Sequence, residues 1–253
     1  MVATVGFLYP GYSAEDDYPR LEAMLNEAGA GARLPLVHTD IGTDAHRVEA
    51  LLEMGSVDRL TAVLGELTAP EGAAGGNGTA VDAVVWACTS ASFVFGHEGA
   101  LEQVRRLSAA AGLPASSTSF AFARAVAALG VRRVAVAATY PDDVAGLFAD
   151  FLKAAEIEVV ATRGSGIITA AEVGTWGRDE VLRLAEAGDD PEAEAVLLPD
   201  TALHTAAWVA EVEETLGKPV LTANQVTVWE GLRLLDHQAV CPALGTLFSA
   251  RGV

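Results

Sequence analysis

Cysteine is scarce in this chain, with two residues in 253, Cys88 and Cys241. Thiols so far apart give neither a disulfide framework nor metal-ligand spacing, so each is expected reduced and is judged by its local setting. Basic residues are few as well: 16 Lys and Arg face 34 Asp and Glu, a formal charge of −18 with no basic cluster. Such a surface repels phosphate backbones and anionic headgroups, which argues against nucleic acid and membrane as partners. No apolar run is long enough to span a bilayer, and VATVGFLYPG at the start is too short for a signal peptide and follows no basic region. A cytoplasmic location is the expectation. No G-x-x-x-x-G-K-[ST] loop and no strand followed by G-x-G-x-x-G is present, so no nucleotide cofactor is expected. His38, His46, His97 and His237 sit in unrelated contexts without ligand spacing, so no metal is expected either.

What the chain does have is a regular alternation. Apolar, β-branched runs near 2–8, 33–37, 81–87, 113–116, 132–138, 157–161, 194–198 and 219–222 alternate with amphipathic stretches, the clearest at 15–28, 44–66, 98–111, 120–129, 142–155, 178–187, 203–215 and 225–235. That is the pattern of βαβ units and a parallel sheet, and 51% hydrophobic residues can fill one large core or two smaller ones. The Gly/Ala-rich piece from Thr68 to Thr79 lacks periodicity and reads as a surface loop. The halves also echo each other in order: Tyr9-Pro10 with Tyr140-Pro141, VDAVVWACT with AEAVLLPDT, and Gly112-Leu113-Pro114 with Gly217-Lys218-Pro219. The expected fold is therefore α/β, with two similar units related by a pseudo-twofold axis and a cleft between them. The first unit is read as residues 1–112 plus 223–253, and the second as 113–222.

Ligands of parallel sheets sit beyond the carboxyl ends of the strands. That rule nominates Tyr9 to Ser13, Cys88 to Ser90, Tyr140 and Asp200-Thr201. Cys88 leaves a buried strand and is followed by Thr89, Ser90 and Ser92, a turn whose N–H groups and hydroxyls can face an anion and lower a thiol pKa. The plain alternative is a small buried apolar residue. Asp200 holds the matching place in the second half, where it can serve as general acid or base opposite the thiol, or simply cap a helix. Tyr140 can donate its phenol to an oxyanion or cover a strand end. His204, about one helical turn beyond Asp200, reads as a partly exposed helix residue.

With these motifs in view, the chain resembles the aspartate/glutamate racemase superfamily, in its branch containing maleate cis-trans isomerase and arylmalonate decarboxylase. The resemblance rests on VGFLYPGYSAED, DAVVWACTSASFVFG, LPASSTSFAFARAVAALGVRRVAVAATYPDDV, GSGIITAAEVG, AVLLPDTALHT and LGKPVLTANQVTVWEGLRLL. It implies two Rossmann-like domains, no cofactor, and chemistry through an enolate-like or covalently added intermediate. Members of the branch draw on two cleft positions, each of which can be cysteine. Cys88 matches the first, and Asp200 replaces a thiol at the second. By the same resemblance Thr89, Ser90, Tyr140 and Thr201 match residues that hold a substrate carboxylate or enediolate, and Ser13 matches a residue of an N-terminal loop near the substrate.

The expected function is a cofactor-independent isomerase, racemase or decarboxylase acting on a small carboxylate, with Cys88 as nucleophile or proton donor. The alternatives are a non-catalytic carboxylate-binding protein and a cysteine-dependent hydrolase, the second lacking an obvious histidine base. An ionised Asp200 would repel a substrate carboxylate by a few kcal/mol at close range. Loops near 38–44 and 162–176 are expected to set the pocket's size. A homo-oligomer is compatible with the sequence, dimers being the commonest default.

Overall fold

Strands buried on both faces have no polar face to alternate, and here they read as continuous apolar runs. In the computed structural model, which describes residues 2–11, 13–68 and 80–249, the first sheet is built from β1 (Ala3–Tyr9), β2 (Ala32–Arg33), β3 (Leu36–His38), β4 (Ala83–Trp86) and β5 (Ala115–Ser117). The second contains β6 (Arg133–Ala138), β7 (Glu158–Gly164), β8 (Ala195–Leu198) and β9 (Val220–Thr222). All these pairings are parallel. The orders β2-β1-β4-β5, with β3 also on β1, and β7-β6-β8-β9 repeat one plan. Every residue of β1, β4 and β8 is buried.

The helices are α1 (Asp17–Glu27), α2 (Val48–Met54), α3 (Val57–Ala62), α4 (Leu64–Thr68), α5 (Ser90–Phe93), α6 (Gly96–Ala111), α7 (Thr118–Leu129), α8 (Asp142–Ala154), α9 (Ala170–Val173), α10 (Arg178–Gly188), α11 (Val209–Leu216) and α12 (Ala223–Leu234). None is long and apolar enough to cross a membrane among the described residues. The third echo has a direct structural meaning. Gly112 and Gly217 end α6 and α11 in the left-handed region, at φ of 65° each, where glycine carries no Cβ penalty. The carbonyls of Pro114 and Pro219 then accept from Val84 and Val196 N–H at 3.0 and 3.1 Å, opening β5 and β9 in equivalent registers.

Three expectations need correction. The strand beginning near 113, expected in the second half, belongs to the first sheet, where β5 pairs with β4 through Val84↔Ala115, so the chain passes to the second sheet only after it, by way of α7. The helical stretch expected over 44–66 is three short helices preceded by an extended segment, since Arg47 has φ −132° and ψ 143°. The helix expected from 203 begins only at Val209, because the preceding residues form turns whose Thr205 and Ala206 N–H groups bond to the buried Asp17 carboxylate instead of to an earlier helical turn. The Gly/Ala-rich loop falls, over 69–79, outside the described residues.

The two halves share one core. A single apolar cluster takes in Val5, Trp86 and Phe122 together with Val134, Phe148 and Leu197, while a smaller one lies under α10 and α11. At about 1.5–3 kcal/mol for each large apolar side chain removed from water, that continuity fixes how the sheets face each other. After β9 the chain returns to the first sheet, where α12 packs on β4, β5 and α7. Thr118 and Thr227 hydroxyls join α7 and α12 at 2.6 Å, and the buried Glu230 carboxylate receives Arg124 and Arg233.

Candidate active site

The carboxyl ends of β1, β4 and β8 open into one cleft. Cys88 and Ser90 line it from the first sheet, Asp200 and Thr201 from the second, and Ser13 from the loop after β1. Two turns 112 positions apart thus look into the same hollow. Tyr9 joins the Thr201 turn to the loop after β1, since its hydroxyl donates to the Thr201 carbonyl and receives the Ala14 N–H, each at 3.0 Å. Ile41, Leu51 and Met54 give the cleft an apolar side.

Cys88 lies 3.8 Å from the Ser90 hydroxyl and is 4% exposed. Burial pushes its thiol up to about 11, against the pull of the Ala91 N–H and the Ser90 hydroxyl, and the Asp200 charge pushes the same way. The expectation of a lowered thiol pKa is therefore overturned. The turn after Cys88 forms only the four-residue α5, too short for its N–H groups to offset the loss of water around a thiolate. At neutral pH the group is a thiol rather than a thiolate.

Asp200 does not cap a helix. Its Oδ1 accepts from the Ala202 N–H at 2.9 Å and its Oδ2 from the Thr139 hydroxyl, which hold the carboxylate at the cleft wall. Thr89 and Tyr140 stand behind that wall rather than on it. Thr89 is fully buried, and its carbonyl receives Ser119 Oγ and Phe93 N–H at 2.9 and 3.0 Å. The Tyr140 phenol, raised well above its ordinary value by burial and then by the Asp200 charge, donates to the Pro199 carbonyl. Among the described residues no three His, Cys, Asp or Glu are placed to hold a metal ion.

Residues 50–248 match the family model described as arylmalonate decarboxylase. The chain belongs to the arylmalonate decarboxylase family. Arylmalonate decarboxylase of Bordetella bronchiseptica is 34% identical over 144 residues, a match spanning 55% of this chain and 59% of that enzyme. A double mutant of arylmalonate decarboxylase in its liganded form superimposes with a TM-score of 0.78 at 25% identity, covering 98% of this chain and 99% of that one. Maleate isomerase from Pseudomonas putida has the same fold, with a TM-score of 0.83 at 23% identity and 99% of each chain covered. So does a mutant of Nocardia farcinica maleate cis-trans isomerase bearing a covalently bound succinylcysteine intermediate, with a TM-score of 0.80 at 20% identity over all of both chains.

In this member of the arylmalonate decarboxylase family the cleft holds a residue that sequence reasoning passed over. His46 lines the cleft, is 6% exposed, and sets its ring edge-on to Tyr140 at 4.7 Å between centroids. Its Nε2 lies 4.0 Å from Asp200 Oδ2. His204, by contrast, sits in a turn outside the cleft, 2.9 Å from Asp16 and 3.1 Å from the Gly174 carbonyl. No spacing rule singles out His46, because its neighbours in space, Asp200 and Ile167, lie more than a hundred residues away.

Proposed function

We propose that this protein is a cofactor-independent lyase that decarboxylates a small malonate-type acid, with the Cys88 thiol as proton donor to the resulting enediolate. The observation that supports this reading is that a buried thiol, Cys88, and a carboxylate, Asp200, line one cleft together with the Ser90 hydroxyl and the apolar Ile41, Leu51 and Met54. The retained carboxylate lies against the Ser90 hydroxyl and the Thr201 turn. In this reading the departing one points toward Ile41, Leu51 and Met54, whose apolar side chains solvate a charge poorly and so favour its loss. The bond from the α-carbon to that carboxylate breaks, its electron pair remains as an enediolate, and carbon dioxide leaves. The Cys88 S–H proton then passes to the α-carbon, and water reprotonates the sulfur.

Covalent addition, as in the succinylcysteine intermediate of the Nocardia farcinica isomerase mutant, needs a thiolate. With a thiol near 11, roughly one molecule in three thousand is ionised at pH 7.5. One observation favours a second reaction of the same intermediate: Asp200 on the opposite wall can take or return a proton on the other face, as racemisation requires. Incubation of substituted malonates, maleate, and amino and hydroxy acids in deuterated water separates these outcomes by NMR. Decarboxylation releases carbon dioxide and leaves one deuteron at the α-carbon, whereas racemisation exchanges the α-proton alone. The proposal is overturned by saturable binding without turnover of any of these acids, or by a decarboxylase activity that survives Cys88→Ala.

A further inference from the structure

We infer that His46 is the cation of this site: as an imidazolium paired with Asp200 it neutralises that carboxylate and so admits a dicarboxylate substrate. The inference rests on the proposed carboxylate chemistry and names its substrate class. Among the described residues that line the cleft there is no Lys or Arg, and two are carboxylates, Asp44 and Asp200. Asp44 is already committed, since its oxygens accept from Ala170 and Ala171 N–H at 2.8 and 3.1 Å. Asp200 receives only the Thr139 hydroxyl and one N–H, so its charge would otherwise face the substrate.

The tautomer of His46 follows from its other contact. Nδ1 is 3.0 Å from the Ile167 carbonyl, which can only accept, so Nδ1 carries a hydrogen. A neutral ring would then present the lone pair of Nε2 to Oδ2 of Asp200, two acceptors facing each other at 4.0 Å. A proton on Nε2 turns that opposition into an ion pair. The remaining titratable groups that face the ring or share its cleft are Tyr140, Tyr9 and Cys88, all uncharged at neutral pH because their own values are raised. None competes for the imidazolium. His46 is also held by the half that supplies Asp200: its N–H donates to the Ile168 carbonyl at 2.6 Å, so the segment bearing it is strapped across the cleft.

Calorimetric binding of malonate, with propionate as the monoanionic control, tests this without turnover. In His46→Gln, malonate binding weakens by at least about tenfold while propionate loses less, and adding Asp200→Asn restores malonate to within about threefold of the parent. A purely structural role for His46 would not be rescued by removing a second group. Should the variants fail to fold, the ¹⁵N signals of His46 in the malonate complex of the unmodified protein decide, and both ring nitrogens are expected protonated. The inference is overturned by a neutral ring in that complex, by His46→Gln binding malonate as the parent does, or by a parent that does not prefer malonate to propionate. A protein that binds malonate through His46 and converts nothing refutes the decarboxylase proposal and leaves this inference standing.

Discussion

Alkylation of Cys88 gives the sharpest test of the claim that its sulfur works as an acid. The displacement from 9.0 to about 11 comes first from burial. At pH 8 a thiol at 9.0 is ionised in about one molecule in ten, and one at 11 in about one in a thousand, so Cys88 should react with iodoacetamide about a hundredfold more slowly than an ordinary cysteine. Restricted access slows alkylation at every pH, so the informative quantity is the shape of the profile. In a Cys241→Ala background, which leaves one thiol, the logarithm of the rate should climb by one per pH unit and level off only near 11. Asp200→Asn removes a charge that raises the thiol and should move the plateau to lower pH. A plateau between pH 6 and 8 would refute the proton-donor assignment and restore an activated thiolate.

The same displacement has a stability consequence of definite sign. A folded thiol that releases its proton at higher pH than the unfolded one contributes its stabilisation fully below pH 9 and loses it as pH rises through about 11. Over those two pH units the loss amounts to about 3 kcal/mol. Because the buried phenols of Tyr9, Tyr18 and Tyr140 are also raised, the measurable quantity is the difference between the parent and Cys88→Ala in denaturant titrations at pH 8 and pH 11.

Tyr140→Phe removes the donor to the buried Pro199 carbonyl and should cost about 1–2 kcal/mol in urea unfolding, with the ring packing against His46 retained. Asp44→Asn weakens the charge-assisted bonds to Ala170 and Ala171 N–H, so hydrogen exchange at those two amides should quicken roughly tenfold while the sheets stay protected. Gly55→Ala would drive a Cβ into the Ala91 carbonyl oxygen, beneath the turn that presents Cys88. It is expected to destabilise by about 1–3 kcal/mol and to lower turnover as well, and unchanged melting and turnover would show that the turn accommodates the methyl group.

The strands were legible because their burial on both faces leaves unbroken apolar runs, and the echo between AVVWACT and AVLLPDT placed Cys88 and Asp200 at matching strand ends. Helix boundaries near the cleft were not legible. Periodicity over 44–47 and 203–208 suggests helix, but in both segments backbone groups bond across the molecule, the His46 N–H to the Ile168 carbonyl and the Thr205 and Ala206 N–H groups to Asp17. Tertiary partners of that kind override local propensity without leaving a periodic trace. The thiol's direction of shift was misread for a related reason: a hydroxyl-rich turn suggests stabilisation of an anion, while the depth that defeats it depends on packing from the whole first sheet.

A carboxylate at Asp200 makes demands on its surroundings that a neutral thiol in the same place would not. A thiol there needs no counter-ion and can be enclosed at little electrostatic cost, whereas an ionised Asp200 at 4% exposure must be hydrogen-bonded and paired. Thr139 and the Ala202 N–H supply the hydrogen bonds, both from the second half of the molecule. The charge partner comes from the first half, on the segment that Asp44 and the His46 backbone fasten to residues 167–171. The segment that carries His46 is thus fixed by the same bonds that join the two halves, so the position of the imidazole relative to Asp200 is set by the shared architecture of the cleft rather than by either half alone.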